Sequence, residues 1–316
     1  MSGNCVLVTG AAGFIGSHVA QSLLEAGHSV RTIDNFSTGN RRNLASIRGE
    51  VELVEGDIRS YERTHTATQG IDIVIHLAAL PSVPRSVQDP LTTNDVNVTG
   101  TLNVVLAARD AGVRRVVFAS SSSVYGRNEA LPKRETLVPM PISPYGVSKL
   151  AAEQYCMGFS AVYGIEAVAL RYFNVFGPRQ DPGSQYSGVI PRFLTSAAKG
   201  DPLIVYGDGT QSRDFTYIDN VVRATTSAAL LPLTGSLVCN IGCGGQHSLN
   251  DLAAATRRIT GRDVAVEYGP PRPGDVLHSF ADITVAQEKL GYHPDVSLEE
   301  GLTRTLDWLQ AASWRG

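Results

Sequence analysis

The sequence predicts an α/β protein, a doubly wound parallel sheet with a smaller, mixed α/β substrate-binding domain. Three observations carry that expectation. Short apolar runs alternate with helical periods through the first half of the 316 residues, the pattern of strands covered on both faces. A glycine-spaced turn, Gly10-Ala-Ala-Gly13-Phe14-Ile15-Gly16, separates the first run from the first helix. After Asn174 the texture changes to a Gly- and Pro-rich stretch over 177–188, then to short strands and helices.

The elements follow in order. Residues 6–8 lead into the glycine turn, 17–26 read as a helix closed by Gly27, and 28–34 as the next strand. Further strands are expected at 51–55, 71–77 and 116–120, with a helix over 93–111 stopped by Gly112. Residues 144–163 form a long helix and 165–171 another buried strand. In the second half, 191–199, 221–231, 249–260 and 299–312 carry helical periods. There 202–206 reads as a strand ending at Gly207-Asp208-Gly209, and 237–241 as a late strand of the main sheet. The chain therefore crosses between domains more than once. Residues 1–173 with about 215–245 make the nucleotide-binding domain, and about 174–214 with 246–316 the second.

Composition narrows the function classes. With 43% hydrophobic and 18% charged residues the chain is ordinary globular material. A net charge of -3 argues against a nucleic-acid or anionic-membrane partner. No apolar stretch is long enough to span a bilayer, and the N-terminus enters a strand without a basic leader, so a cytoplasmic protein is expected. Cys5, Cys156, Cys239 and Cys243 are scattered, and the last two lack the second ligand pair that a zinc site needs, so no metal is expected.

Gly10, Gly13 and Gly16 follow a strand and open a helix, the setting in which a Rossmann-type sheet receives a dinucleotide. The glycines allow a tight turn and close backbone approach, and the helix N-terminus takes the pyrophosphate. A glycine-rich turn without a ligand is the plainer alternative. Asp34 ends the second strand, followed by Asn35. A carboxylate there accepts hydrogen bonds from an adenosine ribose diol and repels a 2′-phosphate. Arg41 and Arg42 would suit NADP, but the acid at the strand end favours NAD. Asp57-Ile58, after the third strand, meets adenine or is a plain loop segment. Far downstream, Tyr145-Gly-Val-Ser-Lys149 sets a phenol and an ammonium on one side of a helix. The lysine is expected to lower the phenol pKa by favouring the phenolate. A tyrosine so tuned can take a proton from an alcohol while a nicotinamide takes the hydride.

Thr9 to Gly16, Asp57-Ile58, His76-Leu77-Ala78-Ala79, Asn97-Val-Thr-Gly100 and Ser120 to Gly126 stand in order along the chain. Ser143 to Lys149, Arg171 to Gly177, Gly207 to Phe215 and Arg272-Pro-Gly-Asp275 continue the series. In that order the chain resembles the extended short-chain dehydrogenase/reductase family, specifically its nucleotide-sugar 4-epimerases. The resemblance implies Tyr145 as acid/base, Lys149 as the group that tunes it and holds the nicotinamide ribose, and Ser121 as the hydroxyl bridging the sugar O4 and Tyr145. A strand-end serine capping a turn is the plain reading of Ser121. Phe14, Ile15, Leu77, Ala78, Ala79 and Asn97 join the expected NAD set. Asn174 and Arg213 take the family's diphosphate positions, where a guanidinium forks two donors onto phosphate oxygens. Arg272 and Asp275 would hold phosphate and uridine ribose, and Val189 and Tyr206 complete the substrate set. For the charged residues a surface salt bridge is the alternative.

Similar enzymes oxidise C4 to a 4-keto sugar and then diverge. The family's 4,6-dehydratases carry Asp-Glu after the catalytic hydroxyl, and its UDP-glucuronate decarboxylases keep the glutamate. Here those positions are Ser122 and Ser123, which do neither job at neutral pH. What remains is rotation of the ketone and return of the hydride, so the resemblance implies a UDP-sugar 4-epimerase with tightly held NAD. Ser279, where some epimerases carry a bulky tyrosine, would leave room for an N-acetyl group, and 177–192 resembles UDP-N-acetylglucosamine 4-epimerases. Arg192, a lysine in several of those, would take a C6 carboxylate bidentately, better than a neutral contact by roughly 1–3 kcal/mol, with Ser122 and Ser123 adding donors; a helix residue that pairs with an aspartate or with the diphosphate is the equal alternative. The order of expectation is UDP-glucuronate, then UDP-N-acetylhexosamine, then UDP-glucose. A dinucleotide-binding sensor without chemistry is the reading from another class, and the intact Tyr/Lys pair argues against it. Small and apolar residues over 93–111 and 149–161 resemble the helices through which similar enzymes form a homodimer.

Overall fold

The structure, a computed structural model, describes residues 3–181, 188–271 and 276–313. Its first half alternates β1 (Cys5–Thr9), α1 (Phe14–Glu25), β2 (Ser29–Asp34), α2 (Arg41–Ala45), β3 (Val51–Glu55), α3 (Tyr61–Thr68) and β4 (Ile73–His76). The short helices α4 (Val83–Gln88) and α5 (Pro90–Asn94) follow, then α6 (Gly100–Asp110), β5 (Arg115–Ser121), α7 (Pro144–Tyr163) and β6 (Glu166–Tyr172). Val6 to Val8 and Ile73 to Ile75 have no exposed surface. Such unbroken apolar strands need helices on both faces, which is the parallel arrangement found.

Beyond β7 (Val175–Phe176) come α8 (Val189–Lys199), β8 (Leu203–Tyr206), β9 (Ser212–Arg213), β10 (Thr216–Tyr217), α9 (Ile218–Leu230) and β11 (Ser236–Ile241). The chain ends through β12 (His247–Ser248), α10 (Leu249–Thr260), β13 (Val266–Gly269), β14 (His278–Ser279), α11 (Thr284–Leu290) and α12 (Leu298–Ser313). β11 returns to the main sheet beside β6, giving seven parallel strands in the order β11-β6-β5-β4-β1-β2-β3. The order reverses between β1 and β4, and the crevice at the strands' carboxyl ends there is where such sheets take ligands. The later segments add β13 beside β8, and β9 between β12 and β14. One apolar cluster runs from Val6 and Ile75 through Phe176 and Tyr217 to Leu252 and Leu302, so the late helices and the sheet share a core.

The helix expected over 93–111 is interrupted. Asp95–Thr99 forms a π turn between α5 and α6, a widening that lets a side chain enter the backbone ladder's neighbourhood. Here Asn97 uses it, accepting from the Leu80 N–H at 2.8 Å and donating to Ser148 Oγ at 3.0 Å. Among the described residues no helix is long and apolar enough to cross a membrane.

Arg115 is fully buried where β5 starts. Its Nη1 donates to the carbonyls of Ala228, Ala229 and Leu231 at the end of α9, and its Nε to Glu166 Oε2 at 2.8 Å. A cation there satisfies carbonyls that a helix end leaves open. Arg115→Ala leaves them and Glu166 without it, and is expected to cost about 3 kcal/mol, read as a lower midpoint in urea or thermal unfolding.

Candidate active site

The glycine turn is shaped by close approach. A Cβ on Gly16 would stand 2.2 Å from the Gly10 carbonyl oxygen, and one on Gly10, at φ +76°, 2.9 Å from the Ala78 backbone. Only glycine avoids both clashes. Gly13 is the N-cap of α1 and no side chain caps it, which leaves first-turn N–H groups and the positive helix end for an anion. The Asp34 carboxylate is buried and accepts from the Ala12 N–H at 2.9 Å and the Phe36 N–H at 2.8 Å. It braces the turn, keeps a lone pair on each oxygen for a ribose hydroxyl, and is pushed up in pKa by its burial. Arg41 pairs with Glu55 at 2.5 Å and lies 3.9 Å over the Phe36 ring, so it does not wait for a 2′-phosphate. These residues fit NAD.

The neighbouring groups are ordered by their own contacts. Asn35 Nδ2 donates to Asp57 Oδ2, and Arg59 grips the same carboxylate at 2.8 Å. The bond from Arg59 is the main reason the Asp57 carboxyl sits down at about 2. A cavity of about 360 Å³ opens beside them, lined by Asn35, Arg59, Leu80, Arg85 and Thr92 among others. Ile58 turns inward under Gly100 and is buried. The N–H groups of Leu77 and Ala78 both donate to Thr9 Oγ1 at 3.1 Å, and Ala79 beside them is half-buried. The Asn97 amide is occupied by Leu80 and Ser148, which makes it a strut under the site.

Ser143 caps α7 by accepting from the Gly146 N–H at 3.1 Å, with Pro144 in the first turn. That start puts Tyr145 and Lys149 one turn apart on the same side. Lys149 is buried, donates from Nζ to the Ala119 carbonyl at 2.7 Å, and lies 4.8 Å from the Phe118 ring centroid. Burial presses its pKa down to about 8. Ser121 closes β5. Its hydroxyl bears on the Tyr145 phenol, which it pulls toward the phenolate, and accepts from the Ser123 N–H at 3.1 Å, so the same serine faces the tyrosine and caps the turn over Ser122–Val124. One expectation is corrected here. The lysine does not lower the phenol pKa in this arrangement: burial pushes Tyr145 up, and the Ser121 hydrogen bond pulls it partly back. The ammonium is engaged by Ala119 and Phe118 instead.

On the other side of the crevice, Asn174 sits at φ +31° with Nδ2 donating to the Asp214 carbonyl at 3.0 Å. Arg213 Nη1 donates to the carbonyls of Ser212 and Leu277 at 2.9 and 3.1 Å, and Ser279 pairs with Arg213 across β9 and β14. Val189 opens α8, whose N-cap, Gly188, offers no side-chain cap. Arg192 makes no ion pair among the described residues, and its guanidinium lies 5.8 Å from the Tyr206 ring centroid. Arg272 and Asp275 lie outside the described residues.

A sequence profile described as NAD dependent epimerase/dehydratase family matches residues 6–242. The chain belongs to the NAD-dependent epimerase/dehydratase family. A protein of Methanocaldococcus jannaschii described as a putative UDP-glucose 4-epimerase is 39% identical over 307 residues, covering 96% of this chain and 98% of its own. Among solved structures, the UDP-N-acetylglucosamine 4-epimerase of Methanobrevibacter ruminantium M1, in complex with UDP-N-acetylmuramic acid, has a TM-score of 0.94 at 38% identity, over 99% of this chain and 100% of that one. The UDP-glucuronic acid 4-epimerase of Bacillus cereus, in complex with UDP-glucuronic acid and NAD, has a TM-score of 0.89 at 35% identity, over 98% and 99%. As a member of the epimerase/dehydratase family, the chain uses NAD.

Two buried carboxylates, one next to Arg213 and one a turn from Lys149, were not among the expected site residues. Asp214 accepts from the N–H groups of Cys243, Gly244 and Ala281, and burial raises its pKa to about 6. Glu153 lies on α7 one turn beyond Lys149 and pairs with Arg171. That helical spacing was the available signal.

The hydrogen bond from Ser121 favours the phenolate, so Ser121→Ala should raise the Tyr145 pKa. The rising, base-dependent limb of the kcat–pH profile is then expected to move to higher pH, measured by steady-state rates from pH 6 to 10 (about this range).

Proposed function

We propose that the chain is an NAD-dependent UDP-sugar 4-epimerase, an isomerase, and that its hexose pair is UDP-glucuronate and UDP-galacturonate. The observation that carries the activity is Ser121 bearing on the Tyr145 phenol beside Ser122 and Ser123, with no carboxylate acting on that phenol among the described residues. Bound NAD supplies a hydride acceptor at C4 that gives the hydride back. In this reading Tyr145 takes the O4 proton, Ser121 holds O4 against the phenol, and Lys149 steadies the nicotinamide ribose. No acid at 122 or 123 is present to remove a C5 proton or expel a hydroxyl, so the 4-keto sugar turns over and Tyr145 returns the proton to O4 on the other face. Asn174 and Arg213, with Arg272 and Asp275, would hold the nucleotide end and leave the hexose free to turn.

Support for the carboxylated sugar comes from Arg192, a guanidinium 5.8 Å from the Tyr206 ring centre and without an ion-pair partner among the described residues. A planar donor fork suits a carboxylate, and holding it in the plane that resists loss of CO2 would protect a 4-keto uronate. Ser279, half-buried beside Arg213, favours the second reading, an N-acetylhexosamine, because its small side chain leaves space. A homodimer belongs to the same proposal: Val147, Tyr155 and Val162 on α7 are exposed apolar groups, Val162 to 73%.

The test is direct. Purified protein without added NAD is incubated with UDP-glucuronate, UDP-GlcNAc or UDP-glucose, and the products are followed by NMR. A C4 epimer is expected, fastest from UDP-glucuronate; a UDP-pentose or a 4-keto-6-deoxy sugar would overturn the reading. Tyr145→Phe should lower kcat about 10²–10⁴-fold while NAD binding persists, whereas a sensor would keep its function. Arg192→Met should lower kcat/KM for UDP-glucuronate about 10–100-fold and leave UDP-glucose nearly unchanged.

A further inference from the structure

Glu153 has no exposed surface and Arg171, on β6, has almost none. The guanidinium grips the carboxylate twice, Nη2 to Oε1 at 2.6 Å and Nε to Oε2 at 3.0 Å. Against an apolar pair of equal volume, an ion pair this deep adds little net stability. Its remaining contacts give it a different use.

Ser120 Oγ donates to Glu153 Oε2 at 2.6 Å. Arg171 Nη1 donates to the Tyr125 hydroxyl at 3.0 Å, and the guanidinium lies 4.9 Å from the centre of that ring. The Tyr125 hydroxyl in turn donates to Asn240 Oδ1 at 2.7 Å, and Asn240 Nδ2 reaches the carbonyls of Lys133 and Asp282. Ser120 and Tyr125 bracket the four residues 121–124. One ion pair thus pins both ends of the serine turn, and one of its members stands on the helix that carries Tyr145. The separation of Ser121 from the phenol is set along a closed path: Tyr145, down α7 to Glu153, across to Ser120, and on to Ser121.

We infer that Glu153 and Arg171, acting through Ser120 and Tyr125, are positioning residues that fix the Ser121 hydroxyl against Tyr145. This rests on the reading of Ser121 and Tyr145 as the proton-transfer pair. Neither charged residue needs to touch the sugar. Their role is to make the turn and the helix one rigid body, so that the proton moves over a fixed distance.

Ser120→Ala is the mild test, because it removes one hydrogen bond and leaves the ion pair. With each of the three UDP-sugars, kcat is expected to fall about 10-fold with KM within about 2-fold. The base limb of the kcat–pH profile should move up, because a loosened Ser121 stabilises the phenolate less. In a Ser121→Ala background, Ser120→Ala should add no further loss, since the two act in series. Tyr125→Phe, which loosens the other end, should repeat the pattern, and Glu153→Gln should deepen it where the variant folds. Losses that multiply in the double variant, or a lower unfolding midpoint with unchanged kcat and pH profile, would overturn the inference. Turnover that survives Tyr145→Phe would instead sink the catalytic reading beneath it.

Discussion

Placement of α7 against β5 is the constraint on which the chemistry depends. The buried face of this 20-residue helix is made of Gly146, Ser148, Lys149, Ala152, Glu153 and Cys156, a set with little apolar bulk. Dispersion alone would let such a helix slide, because small side chains offer shallow ridges. Polar ties replace that grip: Ser148 to Asn97, Lys149 to Ala119, and Glu153 to Ser120 and Arg171. Hydrogen bonds weaken steeply when bent or stretched, so these four, from three residues spaced over about a turn and a half, fix rotation and register together. Each buried polar group is also costly if its partner leaves, which makes the arrangement all-or-none.

The same ties explain the electrostatics. A lysine that served the tyrosine directly would have to leave the Ala119 carbonyl and the Phe118 face. Held there, it raises the cost of protonating His76 nearby, whose pKa burial has already brought to about 3. His76 therefore stays neutral, accepting at Nδ1 from Thr9, while Thr9 accepts the Leu77 and Ala78 N–H groups. Around Thr9 and His76 the crevice floor is thus built from neutral donors and acceptors, with the Lys149 ammonium nearby.

Much of this was legible in the sequence, and the shortfalls are instructive. The strands were visible because β1, β4 and β5 are buried on both faces and read as unbroken apolar runs. The helix from Leu249 to Thr260 was readable because its period is strong and Ser248 and Asp251 form a capping box at its start. The break at 95–99 was not, since the residues there are ordinary helix material and the cause, Asn97 bridging to Leu80 and Ser148, lies in tertiary contacts. The Tyr/Lys motif told that the two side chains share one side of a helix but not which carbonyl would capture the ammonium. Glu153 and Arg171 stood in plain view inside quoted or adjacent motifs, and only their mutual distance made them a pair.

The continuous apolar cluster from Val6 to Leu302 has a further consequence. A protein whose two parts meet through a thin polar seam can open like a book and exchange its cofactor freely. Here, separating the late helices from the sheet would expose Phe176, Tyr217 and their neighbours to water, at roughly 25 cal/mol for each Å² uncovered. The late helices and the sheet are therefore held as one body around the crevice.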